Sequence, residues 1–187
     1  MPIVNAAQRR MSFTDLQHTP DDGRRYELYD GELRVIPSPI PKHQVVVENI
    51  RGLFRQYSEA HGGIGFISPI DIVFSEYDVV QPDVVFFLQS RRNLIDFNVA
   101  IRHRPDIVVE VLSPSTSGHD RTKKMQMFAR FKVPEYWIAD PGLGCLEVHA
   151  FERGGYRERQ SASGEETVAP PILAPFTFNV SQAFRLP

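Results

Sequence analysis

Hydrophobic and polar positions along the chain repeat with two different periods, and the changes between them mark out its elements. "YELYDGELRVI" has two strand-like arms around Asp30-Gly31, a pair suited to the positive φ angles of a tight turn, so Tyr26 to Ile36 is read as a hairpin. From Lys42 to Ala60 the period becomes helical: His43, Val47, Ile50 and Phe54 share one stripe, joined by Val46, Leu53 and Tyr57. Glu48, Arg51, Arg55 and Glu59 take the other side, and Gly62 and Gly63 end the helix. Strands follow at Ile64 to Phe74, Asp83 to Leu88 and Asp106 to Leu112. A second helix, Gly118 to Phe131, leads to a strand at "EYWIAD" and then to "CLEVHAF" and "GYRERQ". Residues 1–25 are polar and irregular, with one short helix near "SFTDLQH".

This order predicts a mixed α/β (α+β) domain, a central mixed sheet flanked by helices with an N-terminal hairpin and extra C-terminal strands. Strands joined without a helix are most simply antiparallel, whereas the crossover through the second helix sets "EYWIAD" parallel to "DIVVEVL". The chain's 187 residues, 42% of them hydrophobic, suit one domain over 1–187 in which 1–12 is an irregular N-terminal segment.

One position breaks the pattern. Ile107, Val108, Val109, Val111 and Leu112 fill both faces of "DIVVEVLSP", yet Glu110 sits among them. Removing an ionised carboxylate from water without partners costs several kcal/mol or more, so Glu110 belongs either to a structural ion pair or to a functional site. Asp83 begins its strand while Glu110 lies near the exit of the next, and antiparallel pairing brings both acids to the same end of the sheet. They repel unless a positive group lies between them, and a divalent cation with oxygen ligands is the economical solution; the alternative for Asp83 is a residue that merely opens a strand after Pro82.

The second helix adds a third group. Lys124 shares a stripe with Met127, Phe128 and Phe131 and points toward the sheet, while Lys123 is turned about 100° away. Asp120, one turn earlier, offers Lys124 an ordinary surface pair instead. Two acids and an inward lysine are the parts that metal-assisted phosphodiester cleavage requires.

Charge and composition narrow the alternatives. Lys and Arg number 21 against 23 Asp and Glu, a net charge of -2, so no broad cationic field announces nucleic acid. Arg91-Arg92 and Arg102 to Arg104 read as solvated charge at the far end from the acids, and only Arg121 to Lys124 lies near them. Cys145 is the one cysteine and the six histidines are scattered, which sets zinc aside. No phosphate-binding glycine loop or nucleophilic-serine elbow is present, and "SPSTSG" lacks the lysine and spacing of the former. No apolar run approaches the roughly 20 residues that span a bilayer. The start "MPIVNAAQRR" lacks a signal peptide's apolar segment, so a cytoplasmic protein is expected.

"QPDVVFF", "DIVVEVLSPST", "DRTKKMQMFARFKVPEYWIADP" and "YELYDGEL" together resemble the Uma-two family of restriction-endonuclease-like proteins, within the PD-(D/E)XK nuclease superfamily. The resemblance runs from about Phe13 to the C-terminus. It implies a restriction-endonuclease-like core, dependence on Mg2+ or Mn2+, hydrolysis of DNA phosphodiesters and a homodimer. Asp83 matches the family's metal-binding Asp and Glu110 its second acid, with the carbonyl of Val111 completing the metal shell. Lysine is expected two residues after that acid, where this chain has Leu112; Lys124 resembles the lysine relocated to the following helix. His43 matches a family position that either touches the site or is a hydrogen-bonded histidine at a helix start. Glu27 matches an acid that either joins the metal shell or is a solvated hairpin residue. Asp106, about 13 Å from Glu110 along the strand at roughly 3.3 Å per residue, is too far to share a metal, Glu48 faces the wrong way, and Asp140 is a turn residue. The function expected is a metal-dependent DNA endonuclease; the alternative is a nuclease-fold binding or assembly module that keeps the acids without turnover.

Overall fold

The computed structural model of the chain describes residues 10–20, 22–113 and 117–187. Most of the N-terminal segment expected over 1–12, and residues 114–116 of "SPSTSG", lie outside them. The first described element is α1 (Phe13–Gln17), which Ser12 and Asp15 open with a reciprocal capping box. The hairpin follows as β1 (Arg25–Tyr29) and β2 (Glu32–Ile36), turning through Asp30 at φ 52 and Gly31 at φ 81. Positive φ at both turn residues matches the right-handed twist of the paired strands.

Helix α2 (Pro41–His61) starts on a proline whose missing N–H costs nothing in the first turn, and its predicted stripe from His43 to Tyr57 is buried. The region expected as one strand over Ile64 to Phe74 is two, β3 (Ile64–Ile67) and β4 (Ile72–Ser75), lying in different sheets. Pro69 between them has no N–H to give a ladder, so the chain leaves one sheet there and enters the other. A short strand that the pattern did not announce, β5 (Asp78–Val80), pairs with both β4 and β1. Next come β6 (Val84–Phe87) and β7 (Ile107–Val111).

The second helix is not regular. It opens as α3 (Ser117–His119), widens into a π turn over Asp120–Lys124 and continues as α4 (Met125–Arg130). Strands β8 (Glu135–Asp140), β9 (Cys145–Glu152) and β10 (Gly155–Ser163) follow, then β11 (Thr167–Val168), β12 (Phe178–Asn179) and α5 (Ser181–Phe184).

The large sheet has the order β10-β9-β8-β7-β6-β3, and the small one β2-β1-β5-β4. β6 and β7 are antiparallel and β7 and β8 parallel, as the connections required. One face of the large sheet, with Phe86, Val109 and Trp137, packs beneath α2 and the C-terminal segment. The other, with Val85, Val108 and Tyr136, is covered by Met127 and Phe128 of α4 and by Tyr29, Ile72 and Val80 of the small sheet. Burying both faces explains why β7 reads as a nearly continuous apolar run. Among the described residues no helix is long and apolar enough to cross a membrane.

The turn from α2 into β3 is tight enough to test. Gly63 has φ +98, and a Cβ there would lie 2.6 Å from the Phe86 ring and 2.8 Å from the Phe87 carbonyl oxygen. Gly63→Ala should therefore lower stability by about 1–3 kcal/mol, read as an earlier midpoint in urea unfolding. An unchanged midpoint would mean that α2 and β6 do not meet this closely.

Candidate active site

Alternation along β7 sends Ile107, Val109 and Val111 beneath α2 and turns Val108, Glu110 and Leu112 to the face covered by the second helix. The register Val84↔Val109 then sets Asp83, one residue before β6, beside Glu110. Asp83 Oδ2 accepts a 2.8 Å hydrogen bond from the Val111 N–H and a 3.1 Å bond from His43 Nε2. The Lys124 ammonium reaches Glu110 Oε2 at 2.8 Å and stands 3.3 Å from Asp120 Oδ1. Lys124 is 6% exposed, whereas Lys123 is exposed and lies 3.7 Å from Glu32, so the predicted inward and outward lysines are the ones observed.

These groups line a cleft of about 180 Å³, walled on one side by the segment from Ile36 to Ile40. Burial and the neighbouring Asp83, Asp120 and Glu27 push the Glu110 carboxyl well above its ordinary range, although the Lys124 ammonium opposes them. Burial also disfavours the charged form of Lys124, but Glu110, Glu27 and Asp120 outweigh it and keep the ammonium protonated. For Asp83 burial again acts upward, and here the hydrogen bond and field of the His43 ring, the Lys124 charge and the Val111 N–H prevail and hold the carboxyl low.

The other buried acids show by contrast what is unusual here. Glu135 accepts from the Trp137 ring N–H at 2.8 Å and from the Ile172 N–H at 2.7 Å. Asp106 accepts from the Leu88 N–H and from Arg91, both at 2.8 Å. Asp78 is held by Arg130, Ser75 and the Asp30 N–H. Each has both oxygens engaged, as structural carboxylates require. Glu110 Oε1 and Asp120 Oδ1, by contrast, are buried and accept no hydrogen bond among the described residues.

Glu27, fully buried, accepts from the Tyr29 hydroxyl at 2.6 Å and the Gln81 N–H at 2.8 Å, which ties β1 to the residues leading into Asp83. It is neither solvated nor on the cleft wall. His43 is 7% exposed and does line the cleft. Val111 lines it too. Gln81 and Arg25 are lining residues that sequence reasoning missed, since their approach depends on how the hairpin meets β6. Asp120 was legible only as a surface partner of Lys124; the pairing forms, but at 1% exposure and inside the cleft.

One expectation about charge needs correction. Arg91 is not simply solvated: its guanidinium closes on buried Asp106 at 2.8 Å and on the Arg104 carbonyl at 2.8 Å. Elsewhere a single histidine meets two acids, for Glu147, His149 and Glu158 on β9 and β10 bring ligand atoms within 4.8 Å of one another. Both Glu147 oxygens are nevertheless occupied by Arg121, at 2.7 and 2.8 Å. Arg121 thus balances the charge of Glu147. Asp140, as expected, serves a turn, accepting from the Gly142 and Leu143 N–H groups.

A crystal structure of a putative nuclease belonging to DUF820 from Anabaena variabilis ATCC 29413 superimposes with a TM-score of 0.75, covering 93% of this chain and 97% of that one at 18% identity. At that identity the likeness speaks for the fold, which is shared almost end to end. Comparison with curated proteins finds no match. Residues 12–181 match the family Uma2, described as "Putative restriction endonuclease", and with so much of the chain inside the match the protein belongs to that family.

Proposed function

We infer that the protein is a metal-dependent endonuclease that hydrolyses phosphodiester bonds of DNA. The observation that carries the reading is the unspent acceptor of Glu110, a buried carboxylate oxygen without a hydrogen bond among the described residues, in a cleft shared with Asp83 and an inward ammonium. Three acids, Asp83, Glu110 and Asp120, line the cleft beside one lysine, with Glu27 buried behind them. That excess of acids over ammonium groups fits a hard divalent cation, Mg2+ or Mn2+, with Asp83, Glu110 and the Val111 carbonyl as its ligands. When bound, such a cation supplies an activated water and neutralises charge on the scissile phosphate.

The chain's own groups divide the remaining work. His43, through its bond to Asp83 Oδ2, fixes the orientation of that carboxylate. The Val111 N–H does the same from the neighbouring strand. Lys124 presents a fixed positive charge to the phosphate oxygens, whose negative charge grows toward the pentacovalent transition state. Glu27 holds the Gln81 backbone and so the approach to Asp83. The resemblance noted from the sequence implies a homodimer, and two copies of this chain would bring one site to each strand of a duplex.

Incubation with single-stranded, duplex and supercoiled DNA in Mg2+ or Mn2+ tests the reading. Cleavage should appear in the wild type, vanish in chelator, and fall about 100-fold or more in Asp83→Ala and Glu110→Ala. Cleavage that survives both substitutions unchanged would belong to another site or another protein.

Glu110→Gln gives a second test, made in chelator so that turnover plays no part. Because the folded state raises the Glu110 carboxyl, it holds that proton at pH values where the unfolded chain has released it. Wild-type stability should then decline as pH rises above the ordinary glutamate range. Glu110→Gln lacks that titration, so its melting temperature relative to wild type should climb between about pH 5 and pH 8. A difference that stays constant across this range would contradict the assignment.

A further inference from the structure

Asp120 lies in the π turn, lines the same cleft as Glu110 and Lys124, and is almost wholly buried. Its Oδ1 stands 3.3 Å from the Lys124 ammonium yet accepts no hydrogen bond among the described residues. The ammonium is bonded instead to Glu110 Oε2 at 2.8 Å. Lys124 thus has two buried acids within reach, one paired closely at 2.8 Å and one at 3.3 Å with no hydrogen bond formed.

Contacts independent of Lys124 hold Asp120 in this place. The Tyr136 hydroxyl, on β8, donates to the Asp120 carbonyl at 3.0 Å. The adjacent Arg121 makes its two-pronged pair with Glu147 of β9. A π turn is an irregularity that recurs at functional sites, and here both neighbouring strands anchor it. Such anchoring fixes the backbone from which Asp120 presents its carboxylate to the long side chain of Lys124.

We propose that Asp120 is a positioning residue that receives the Lys124 ammonium when a divalent cation takes Glu110, keeping the charge of the lysine inside the cleft and toward the substrate phosphate. The proposal rests on the reading of Glu110 as a cation ligand. A cation on the unspent Glu110 Oε1 draws charge from the carboxylate that Lys124 now pairs with and repels the ammonium. A buried ammonium left without an anion moves out to water, and the long lysine stem makes that easy. Asp120 offers an acceptor that needs only a small rotation of the side chain, with the helix unmoved.

The test uses Mn2+ and acetic anhydride on the whole protein, with acetylation of Lys124 followed by peptide mass spectrometry. In the wild type Lys124 should label slowly with and without Mn2+. In Asp120→Asn it should stay protected without the ion and label several-fold faster with it, and Asp120→Glu should restore protection. In DNA cleavage Asp120→Asn should lose about 10- to 100-fold in kcat with KM little changed. Combined with Lys124→Met it should be no slower than Lys124→Met alone, because both act through one ammonium.

If Mn2+ raises the melting temperature of Asp120→Asn but leaves Lys124 as protected as in the wild type, the positioning role is wrong while the cation reading stands. If Mn2+ does not raise the melting temperature of the wild type, the cation reading fails and this inference with it. Loss of folding in Asp120→Asn, seen by circular dichroism, would make Asp120 a structural residue and overturn the proposal as well.

Discussion

The site depends on one costly arrangement: the Glu110 carboxylate, 2% exposed near the end of a strand whose other side chains are apolar, engaged through one oxygen only among the described residues. A buried acid of this kind is tolerable only because the Lys124 ammonium meets it and other groups fix both. Leucine or glutamine at this position would carry no charge to desolvate.

Much of the remaining architecture can be understood as holding that pair in place. β7 lies in the interior of the large sheet, between β6 and β8, so its side-chain directions are set by ladders on both edges. The Asp83 carboxylate accepts the Val111 N–H across the β6–β7 boundary, which joins the two acid-bearing strands at the point where they enter the cleft. From the opposite side the hairpin contributes Glu27, whose two hydrogen bonds connect Tyr29 to the Gln81 backbone. Met127 and Phe128 press the second helix onto the sheet and carry Lys124 with it. Each support comes from a different part of the chain, so the geometry is a property of the whole fold.

The buried acids also separate into two kinds by their hydrogen bonds. Asp78, Asp106 and Glu135 are satisfied, and each joins a loop or helix to a strand. Glu110 and Asp120 each keep a buried oxygen that accepts no hydrogen bond among the described residues, and they face one another across an ammonium. Burial alone would not have divided them, since all five are nearly inaccessible. Completeness of hydrogen bonding does, and for a physical reason: an unspent buried acceptor is a standing cost unless something bound repays it.

The sequence by itself determined a good deal. Local periodicity placed the hairpin at Asp30-Gly31, the buried stripe of α2 and the inward turn of Lys124, because these depend on repeats that neighbouring residues impose on one another. It also picked out Glu110, since a charge in an apolar run is visible without coordinates. Chain direction in β6 and β7 was enough to bring Asp83 to the same end of the sheet. What the tertiary structure alone decided was how separate elements meet: the assignment of β3 and β4 to different sheets, the strand β5, the burial of Asp120, the full engagement of Glu27 and the pairing of Arg91 with Asp106. None of these leaves a periodic trace, because each follows from contacts between residues far apart in the chain, and hydrogen-bond satisfaction is settled only when both partners are in place.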